Sequence, residues 1–374
     1  MQTVLTTTLV VSVISLVFAV ILTLADKTLN NYGEVQLIIN ENESRTVDGG
    51  STLLSTLTNE KIFIPSACGG KGSCGYCKCG VTDGAGPILS TERPWLTQEE
   101  IANNIRLSCQ VKVKQDIHVV IPEELFNVKE YDAKLIKKTP VTDRILLLRF
   151  ELPEGETIQF KPGQFIQLKS QTYKKGEGYE GSDSEEIRGY SIASSIRDNT
   201  HIELLIGYTK GIVSTFIHKI TEVGNKVNIS GPYGDFFFHD DEEVDEILLV
   251  AAGTGFAPIR SILYHMMDHD IKTPARFYFG ARTPDDLFLL DELKMFEEKL
   301  EDFEFRPVLS RTTPEHNWTG DVGRVNNSID KYLDADSGIR YSAYLCGNPA
   351  MIETMIEALT AKNVPRERIY FDEF

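Results

Sequence analysis

Four of the six cysteines in this 374-residue chain fall between Cys68 and Cys79, in the segment SACGGKGSCGYCKCG. Cys68, Cys74 and Cys77 are spaced C-x5-C-x2-C, and Cys109 stands alone further on. Gly69, Gly70, Gly72 and Gly75 are interspersed, so the segment is a loop and neither a helix nor a strand. Six cysteines in a chain of this length make no disulfide scaffold, and disulfides do not suit a glycine loop of this kind. Zinc favours two separated C-x2-C pairs, and only one is present. A 2Fe–2S cluster needs four thiolates converging from a loop that wraps a rigid rhomb, with backbone amides free to approach the sulfurs. The pattern therefore predicts a 2Fe–2S cluster on Cys68, Cys74, Cys77 and Cys109. Cys79 reads as a non-ligand, because C-x2-C-x-C would put two ligands on one face of a strand.

The length suggests two or three domains at roughly 150 residues each. Hydrophobic residues at 41% and charged residues at 25% exclude a disordered or collagen-like chain. The formal charge of −17 repels phosphate backbones, so no nucleic-acid partner is expected. After a polar link, EVQLIIN alternates as a strand, Ser51–Asn59 reads as a helix, and Arg106–Pro122 as a strand pair. These define a small β-rich domain over residues 34–127. Residues 128–236 hold only short strands and turns, an antiparallel barrel or sandwich. Within them Ser170–Glu186 is polar and rich in Gly and Ser, and reads as a mobile loop. Residues 240–374 alternate apolar strands (EILLVAAG, ARFYFGAR, FEFRPVLS, SAYLCG) with helices (RSILYHMMDH, DDLFLLDELKMFEEKLED, AMIETMIEALTAK). That rhythm means a parallel sheet covered on both faces.

Thr3–Ala25 is an uncharged run of 23 residues. As a helix it would cover ~34 Å, enough to span the ~30 Å hydrocarbon core. A cleaved signal peptide is the alternative, but no Lys or Arg precedes the run. Residues 1–26 are therefore expected to be a single transmembrane anchor, with residues 3–25 in the bilayer. A lone helix without an intramembrane carboxylate is no pump by itself.

Two further motifs carry chemistry. Arg188, Tyr190 and Ser191 in RGYS can supply a cation, an aromatic ring and a donor to a flavin from one extended strand. Gly211 and Ser214 precede a helix start, where backbone amides favour phosphate. Gly253, Thr254, Gly255 and Pro258 form G-T-G-F-A-P between an apolar strand and a helix, a turn that admits a pyrophosphate.

The cysteine segment resembles the plant-type or vertebrate-type 2Fe–2S ferredoxins, which are β-grasp folds. Its five-residue first gap is the vertebrate-type spacing. R-x-Y-S with G-x-x-S resembles the FAD domain of the ferredoxin–NADP reductase superfamily. G-x-G-x-x-P and YLCGNP (Tyr344–Pro349) resemble that superfamily's nucleotide domain. The resemblance implies a β-barrel that binds FAD through Arg188, Tyr190, Ser191, Gly211 and Ser214. It implies a Rossmann-like sheet that binds the nicotinamide nucleotide through Gly253, Thr254, Gly255, Pro258, Gly347 and Pro349. It places Ser191 and Cys346 beside the hydride path, and Phe374 over the flavin until nicotinamide displaces it.

From anchor to C-terminus the chain is similar to the family of F subunits of sodium-translocating NADH:quinone reductases. STLLSTLTNEKIFIPSACGG, LSCQVKVKQDIHVVIPEELFNV, ISGPYGDFF and NWTGDVGRV carry this likeness. The resemblance implies an electron-input subunit of the bacterial inner membrane, passing electrons from NADH to FAD to 2Fe–2S. Integral-membrane partner subunits would then reduce quinone and move sodium. The soluble body would face the cytoplasm, where nicotinamide is the reductant. The Ser170–Glu186 loop is shorter than the insertion expected in that family. Leu309–Arg311 (LSR) stands where NADH-type relatives often carry an acid, so Ser310 and Arg311 leave NADPH open beside the favoured NADH. A rival of the same module order is a stand-alone NAD(P)H-dependent reductase for a di-iron monooxygenase or desaturase, which usually lacks the span. A second is a redox-sensing or scaffold protein that binds flavin without turnover.

Overall fold

The protein is described from a computed structural model that places residues 11–19, 32–122, 125, 128–240, 243–335 and 337–373. Residues 11–19 form helix α1, with Val11, Val13, Ile14, Leu16, Val17 and Phe18 all exposed. Among the described residues no helix is long and apolar enough to cross a membrane. The remainder of the expected span lies outside them, as does Phe374. The chain divides into two compact units, Met1–Asn127 and Val128–Phe374.

The first unit is built on β1 (Glu34–Ile39), β2 (Glu43–Asp48), α2 (Leu53–Asn59), β3 (Lys78–Asp83), α3 (Gln98–Ala102), β4 (Ile105–Leu107) and β5 (Ile117–Val120). The strand order is β2-β1-β5-β3-β4 with β1 and β5 parallel, the order of a β-grasp sheet. The alternation of β1 buries Val35, Leu37 and Ile39. Thr52 caps α2 through its Oγ1, which accepts the Ser55 N–H at 3.2 Å, and Leu53 and Leu57 pack one turn apart into the core. Arg106–Pro122 yields two short strands separated by non-ladder chain. Residues 108–110 turn back, with the Gln110 and Val111 N–H groups donating to the Leu107 carbonyl at 2.8 and 3.2 Å. Val111 and Val113 remain buried, and the chain there pairs through an isolated antiparallel bridge of Lys112 with Thr52, the Leu53 N–H donating to the Val111 carbonyl at 2.8 Å and the Val113 N–H to the Ser51 carbonyl at 2.9 Å.

The second unit opens with a six-stranded antiparallel sheet of β6 (Lys129–Pro140), β7 (Ile145–Glu151), β8 (Phe165–Lys169), β9 (Ile187–Ser191), β10 (His201–Gly207) and β11 (Lys226–Tyr233). The order is β10-β7-β6-β11-β8-β9, and the Ile192–Leu204 bridge joins the two ends into a barrel. Leu148, Phe150, Ile166, Leu168, Ile202 and Leu204 fill it. The segment read as a mobile loop is folded. Tyr173 and Ser182 exchange backbone hydrogen bonds at 2.9 and 2.8 Å, and the Tyr173 ring lies against Phe216 while its hydroxyl donates to the Ile212 carbonyl at 3.0 Å. One buried aromatic anchors a polar segment whose composition alone gives no sign of order. α4 (Ile212–Thr215) and a wider turn, Phe216–Ile220, lie between β10 and β11.

The nucleotide half follows as β12 (Glu246–Ala252), α5 (Phe256–Asp268), β13 (Ala275–Ala281), α6 (Leu290–Lys299), β14 (Phe303–Leu309), β15 (Asp321–Val322), α7 (Val325–Tyr332), β16 (Tyr341–Gly347), α8 (Pro349–Ala361) and β17 (Ile369–Glu373). All neighbours are parallel, in the order β15-β14-β13-β12-β16-β17. Leu249 and Ala251 face α5 and α6, while Leu248 and Val250 face α7 and α8. This two-sided burial explains the continuous apolar strands. α6 begins later than the sequence suggests, because Leu289 takes a left-handed backbone (φ 56°) and Phe288 turns into the core. β15, α7 and β17 carry no signal that the sequence reading detects. The sheet order reverses between β12 and β16, which opens a crevice at their carboxyl ends.

Candidate redox centre

The loop between α2 and β3 brings thiols together in two pairs. Cys68 and Cys74 Sγ lie 3.3 Å apart, and Cys77 contacts Cys109, which arrives from the turn after β4. Hydrogen bonding within each pair drives the two ionisations apart. Cys74 holds the Cys68 thiol down to about 4, and Cys77 holds Cys109 down to about 7, while their partners are pushed up. The backbone supplies donors as the chemistry requires: N–H groups of Lys71 and Ser73 reach Cys68, and that of Gly72 reaches Cys109. Gln110 Nε2 adds a contact to Cys109 Sγ at 3.4 Å. Gly72 has φ 72°, and a Cβ there would stand 2.6 Å from Gln110 Nε2; at Gly75 (φ 71°) it would stand 2.8 Å from the Trp95 ring. The loop thus needs glycine for both conformation and space.

Among the described residues no three or more His, Cys, Asp or Glu side chains converge on a single metal ion. A two-by-two set of thiols fits a two-iron rhomb better than a tetrahedral zinc site. Cys79 lies elsewhere. It is buried in the core, its charge neighbours are Arg106 and Glu92, and burial pushes its thiol up to about 12.

Sequence reasoning missed what holds this arrangement. Glu92 and Arg106, both buried, form a two-pronged pair, with Arg106 Nη2 at 2.6 Å and Nε at 2.9 Å from the carboxylate. The remaining guanidinium donors reach the Gly86 and Pro87 carbonyls at 2.9 and 3.1 Å. Glu92 also accepts the Leu89 and Leu107 N–H groups at 2.9 and 3.1 Å. Burial works against its charge, but these donors outweigh it and hold the carboxyl below its ordinary range. Leu107 sits two residues before Cys109, so the pair pins the approach to that thiol.

In the barrel, β9 carries Arg188 and Tyr190 on one face, two residues apart, and ends at Ser191. Arg188 donates to the Ile187 carbonyl and to Glu186 at 2.6 and 3.2 Å. Burial pushes the Tyr190 phenol up. Directly across from Gly189 lies Gln167 on β8, whose Nε2 is buried without a hydrogen-bond partner among the described residues. Its side chain shares the face of Gly189, opposite to that of Arg188 and Tyr190. Gly211 caps α4, and the Ser214 hydroxyl donates to its carbonyl at 3.0 Å and meets Thr209 Oγ1 at 3.0 Å.

At the sheet crevice is a groove of about 1230 Å³, lined by Tyr208 and Thr209 from the barrel and by Gly253, Thr254, Asn348 and Met351 from the sheet half. Gly253 (φ 56°) has nothing within 4 Å of a Cβ position, so its backbone faces open space. Gly255 serves packing instead. A Cβ there would lie 2.2 Å from the Cys346 carbonyl, so glycine lets α5 close onto β16. Pro258 is buried in the first turn of α5, where its missing N–H costs no helix bond. Cys346 and Gly347 are buried in β16, and the Cys346 thiol is pushed well up by burial. Neither Gly255, Pro258, Cys346, Gly347 nor Pro349 is among the groove-lining residues. β17 pairs Asp372 with Cys346 and Glu373 with Gly347, so these two residues lie beside that strand terminus.

Another missed residue joins the two halves. Arg260 of α5, only 3% exposed, donates to the Ala193 carbonyl at 2.6 Å, to Glu203 at 2.8 Å and to Glu292 at 2.6 Å. Ala193 follows Ser191 by two residues, so the helix after the glycine turn is tied to the strand that bears RGYS. A charged residue inside the apolar face of a helix was the available signal.

Three family models match in series: a 2Fe-2S iron-sulfur cluster binding domain at residues 38–114, an oxidoreductase FAD-binding domain at 132–238, and an oxidoreductase NAD-binding domain at 249–357. The F subunit of the Na(+)-translocating NADH-quinone reductase of Idiomarina loihiensis is 34% identical, with 97% of each chain covered. Its counterpart from Marinomonas sp. is 32% identical over 98% of this chain and 96% of its own. That from Neisseria meningitidis is 31% identical over 97% of each. Among solved structures, the Amycolatopsis cytochrome P450 reductase GcoB superposes with a TM-score of 0.70 at 23% identity, covering 91% of this chain and 98% of that one. The ferredoxin reductase in carbazole 1,9a-dioxygenase gives 0.68 at 24% identity with the same coverage. These two likenesses concern the fold.

Proposed function

The chain belongs to the family of F subunits of Na(+)-translocating NADH-quinone reductases, and from that premise we propose that it is the electron-input subunit of such a complex. It takes reducing equivalents from NADH and delivers them, one at a time, to membrane partners that reduce quinone and move sodium. FAD supplies the chemistry between the two regimes, accepting a hydride and releasing single electrons to a 2Fe–2S cluster. The chain's own residues bind and orient. Cys68, Cys74, Cys77 and Cys109 hold the iron, with the loop amides and Gln110 aimed at the sulfurs. Arg188 offers a cation to the pyrophosphate, Tyr190 a ring face to the isoalloxazine, and Ser191 a donor near the reacting nitrogen. Gly211 and Ser214 present backbone donors to phosphate. Gly253 and Thr254 admit the dinucleotide, Gly255 and Pro258 shape the turn behind them, and Gly347 and Pro349 flank Asn348 and hold it at the groove, next to Cys346. Phe374, which lies outside the described residues, would cover the flavin face until nicotinamide displaces it.

Residues 3–25 anchor the chain once in the inner membrane, with the cofactor-bearing units in the cytoplasm. The helical stretch at 11–19 supports this, since its apolar side chains are exposed all round and need lipid or another helix to cover them. The observation that carries the functional reading is the quartet of thiols, paired two by two on one chain with a parallel-sheet dinucleotide crevice. The test is purification in mild detergent through an internal tag. Multi-span subunits with sodium-stimulated NADH:quinone activity support the reading; a hydroxylase or desaturase partner overturns the complex and leaves the electron route.

A further inference from the structure

Arg260 is one of a row of polar residues on α5. Arg260, Ser261, Tyr264 and Asp268 recur at three- and four-residue spacing and so lie along one side of the helix. That side meets the barrel chain just beyond RGYS. Arg260 Nη1 donates to the Ala193 carbonyl at 2.6 Å, Ser261 Oγ to the Ser194 carbonyl at 2.8 Å, and Ser195 Oγ to Asp268 at 2.5 Å. Arg197 closes the far end with an ion pair to Asp268 at 3.5 Å. The two chains are thus laced together in sequence order. Every donor of the Arg260 guanidinium is engaged. Nε and Nη2 meet Glu292 of α6 at 2.6 and 3.2 Å, Nη1 also meets Glu203 at 2.8 Å, and Nη2 reaches the Tyr264 hydroxyl at 3.4 Å. Burial works against its charge, but Glu292 and Glu203 outweigh it and hold the guanidinium more firmly protonated than usual.

Stability alone does not call for such a cluster. A buried ion pair commonly contributes no more than apolar residues of the same volume, because desolvating the charges offsets their attraction. What a fully engaged guanidinium adds is direction, since its planar fork fixes both distance and angle to its partners. Those partners come from both halves: Glu292 from the sheet half, Glu203 from β10 and Ala193 from the chain leaving β9. The Ala193 N–H donates to the Glu203 carbonyl at 2.8 Å, so these two are themselves in register. The start of the same helix is fixed as well. Gly255 lets it close onto the Cys346 carbonyl, where a Cβ would lie 2.2 Å away. α5 is therefore a short bar. One end is seated on the terminus of β16, and about one and a half turns on it clamps the strand that bears Ser191.

We propose that Arg260, supported by Ser261, is a positioning residue for hydride transfer, holding the chain after Ser191 in register with the end of β16. Both side chains are buried and neither lines the groove, so they act through the backbone of Ala193 and Ser194. The inference rests on the proposed reduction of FAD by NADH across this seam. That step breaks the nicotinamide C4–H bond, forms an N–H bond on the flavin, and releases NAD+ with the flavin reduced by two electrons. A misplacement of about 1 Å costs on the order of a hundredfold in rate, so a contact remote from the chemistry can govern it.

The test uses the detergent-solubilised full chain loaded with FAD and 2Fe–2S, as wild type, Arg260→Lys and Ser261→Ala. Lysine keeps the charge and gives up the fork; alanine removes one bond of the seam. Anaerobic stopped-flow mixing with increasing NADH separates nucleotide affinity from the limiting rate of flavin bleaching. Tetrahydro-NADH, an unreactive analogue, reports the stacking of the two rings without turnover, through its long-wavelength charge-transfer absorbance with oxidised flavin. The expected result is that Arg260→Lys lowers the limiting rate by about tenfold or more and weakens that absorbance, while NADH affinity stays within about threefold of wild type. Ser261→Ala is expected to lower the limiting rate by about threefold, with affinity likewise kept. A residue that served stability alone would lower the unfolding temperature and move neither the limiting rate nor the absorbance. That outcome in Arg260→Lys overturns the proposal, and so does a loss of NADH affinity at an unchanged limiting rate. If Arg260→Lys does not fold, Ser261→Ala decides by the same criteria. A wild type whose flavin is not bleached by NADH overturns the proposed electron route itself, and this inference with it.

Discussion

The two units hold their chemistry by opposite means. In residues 32–122 the thiols sit on irregular chain, and their positions depend on left-handed glycines and on a buried Glu92–Arg106 pair. In residues 128–373 the residues proposed to meet the cofactors sit at the ends of regular elements: Ser191 ends β9, Gly253 follows β12, and Gly347 ends β16. A strand end inherits its position from a whole sheet, so single substitutions there should produce graded losses. A loop wrapped around a cofactor has few independent supports, so the loss of one should be nearly complete for that cofactor and leave the other unit alone.

The largest effect expected is from Cys109→Ser. It should abolish the visible absorbance and the paramagnetic signal of the 2Fe–2S centre, while flavin reduction by NADH continues at the wild-type rate. Loss of flavin reduction as well would erase the contrast between the units. Next is Arg106→Met, which leaves the Glu92 carboxylate buried without its cation. A cost of roughly 3–5 kcal/mol is expected, read as earlier unfolding of the first unit by calorimetry or proteolysis. Pairing it with Glu92→Gln should recover part of that cost. The sign of the pH dependence follows from the lowered Glu92 carboxyl. Its stabilisation is complete above the unfolded value near 4.5 and is lost as pH falls through the depressed folded value. The destabilisation by Arg106→Met should therefore be largest near neutral pH and shrink as pH falls and Glu92 is protonated in both proteins, and a cost independent of pH would contradict the role given to the pair.

A smaller, graded loss is expected in the other unit from Gly255→Ala. The added methyl meets the Cys346 carbonyl at 2.2 Å and forces α5 off β16, at a cost of roughly 1–3 kcal/mol. The KM for the nucleotide should rise with the cluster spectrum unchanged. The smallest effect is expected from Gln110→Ala. Removing one weak donor at 3.4 Å from Cys109 Sγ should lower the cluster's reduction potential slightly, since hydrogen bonds to the sulfurs favour the reduced, more negative state. Redox titration by electron paramagnetic resonance reads this directly, and a potential that rises would reverse the role of Gln110.

Much of this molecule is legible in its sequence because two strong periodicities coincide with two strong motifs. Apolar strands such as EILLVAAG could only be doubly covered, and the cysteine spacing left few alternatives to iron. What escaped was long-range. Nothing near Glu92 announces Arg106, and nothing near Arg260 announces Ala193 and Glu203. The hairpin at Tyr173–Ser182 escaped because its anchor is a single ring in polar surroundings. Leu289 escaped because a left-handed leucine has no signal in composition or period. Pro258 and Gly255 were recognised as a motif, but their burial, and so their role in packing the turn and not in lining the groove, belongs to the tertiary fold.

The most direct test of the electron route is anaerobic stopped-flow mixing of the FAD- and 2Fe–2S-loaded full chain with NADH, following flavin bleaching and cluster reduction together. The account predicts that the flavin bleaches first, that the cluster then gains one electron, and that flavin-depleted protein shows no cluster reduction. Cluster reduction at an undiminished rate without flavin, or a cluster that stays oxidised while the flavin turns over, would contradict it.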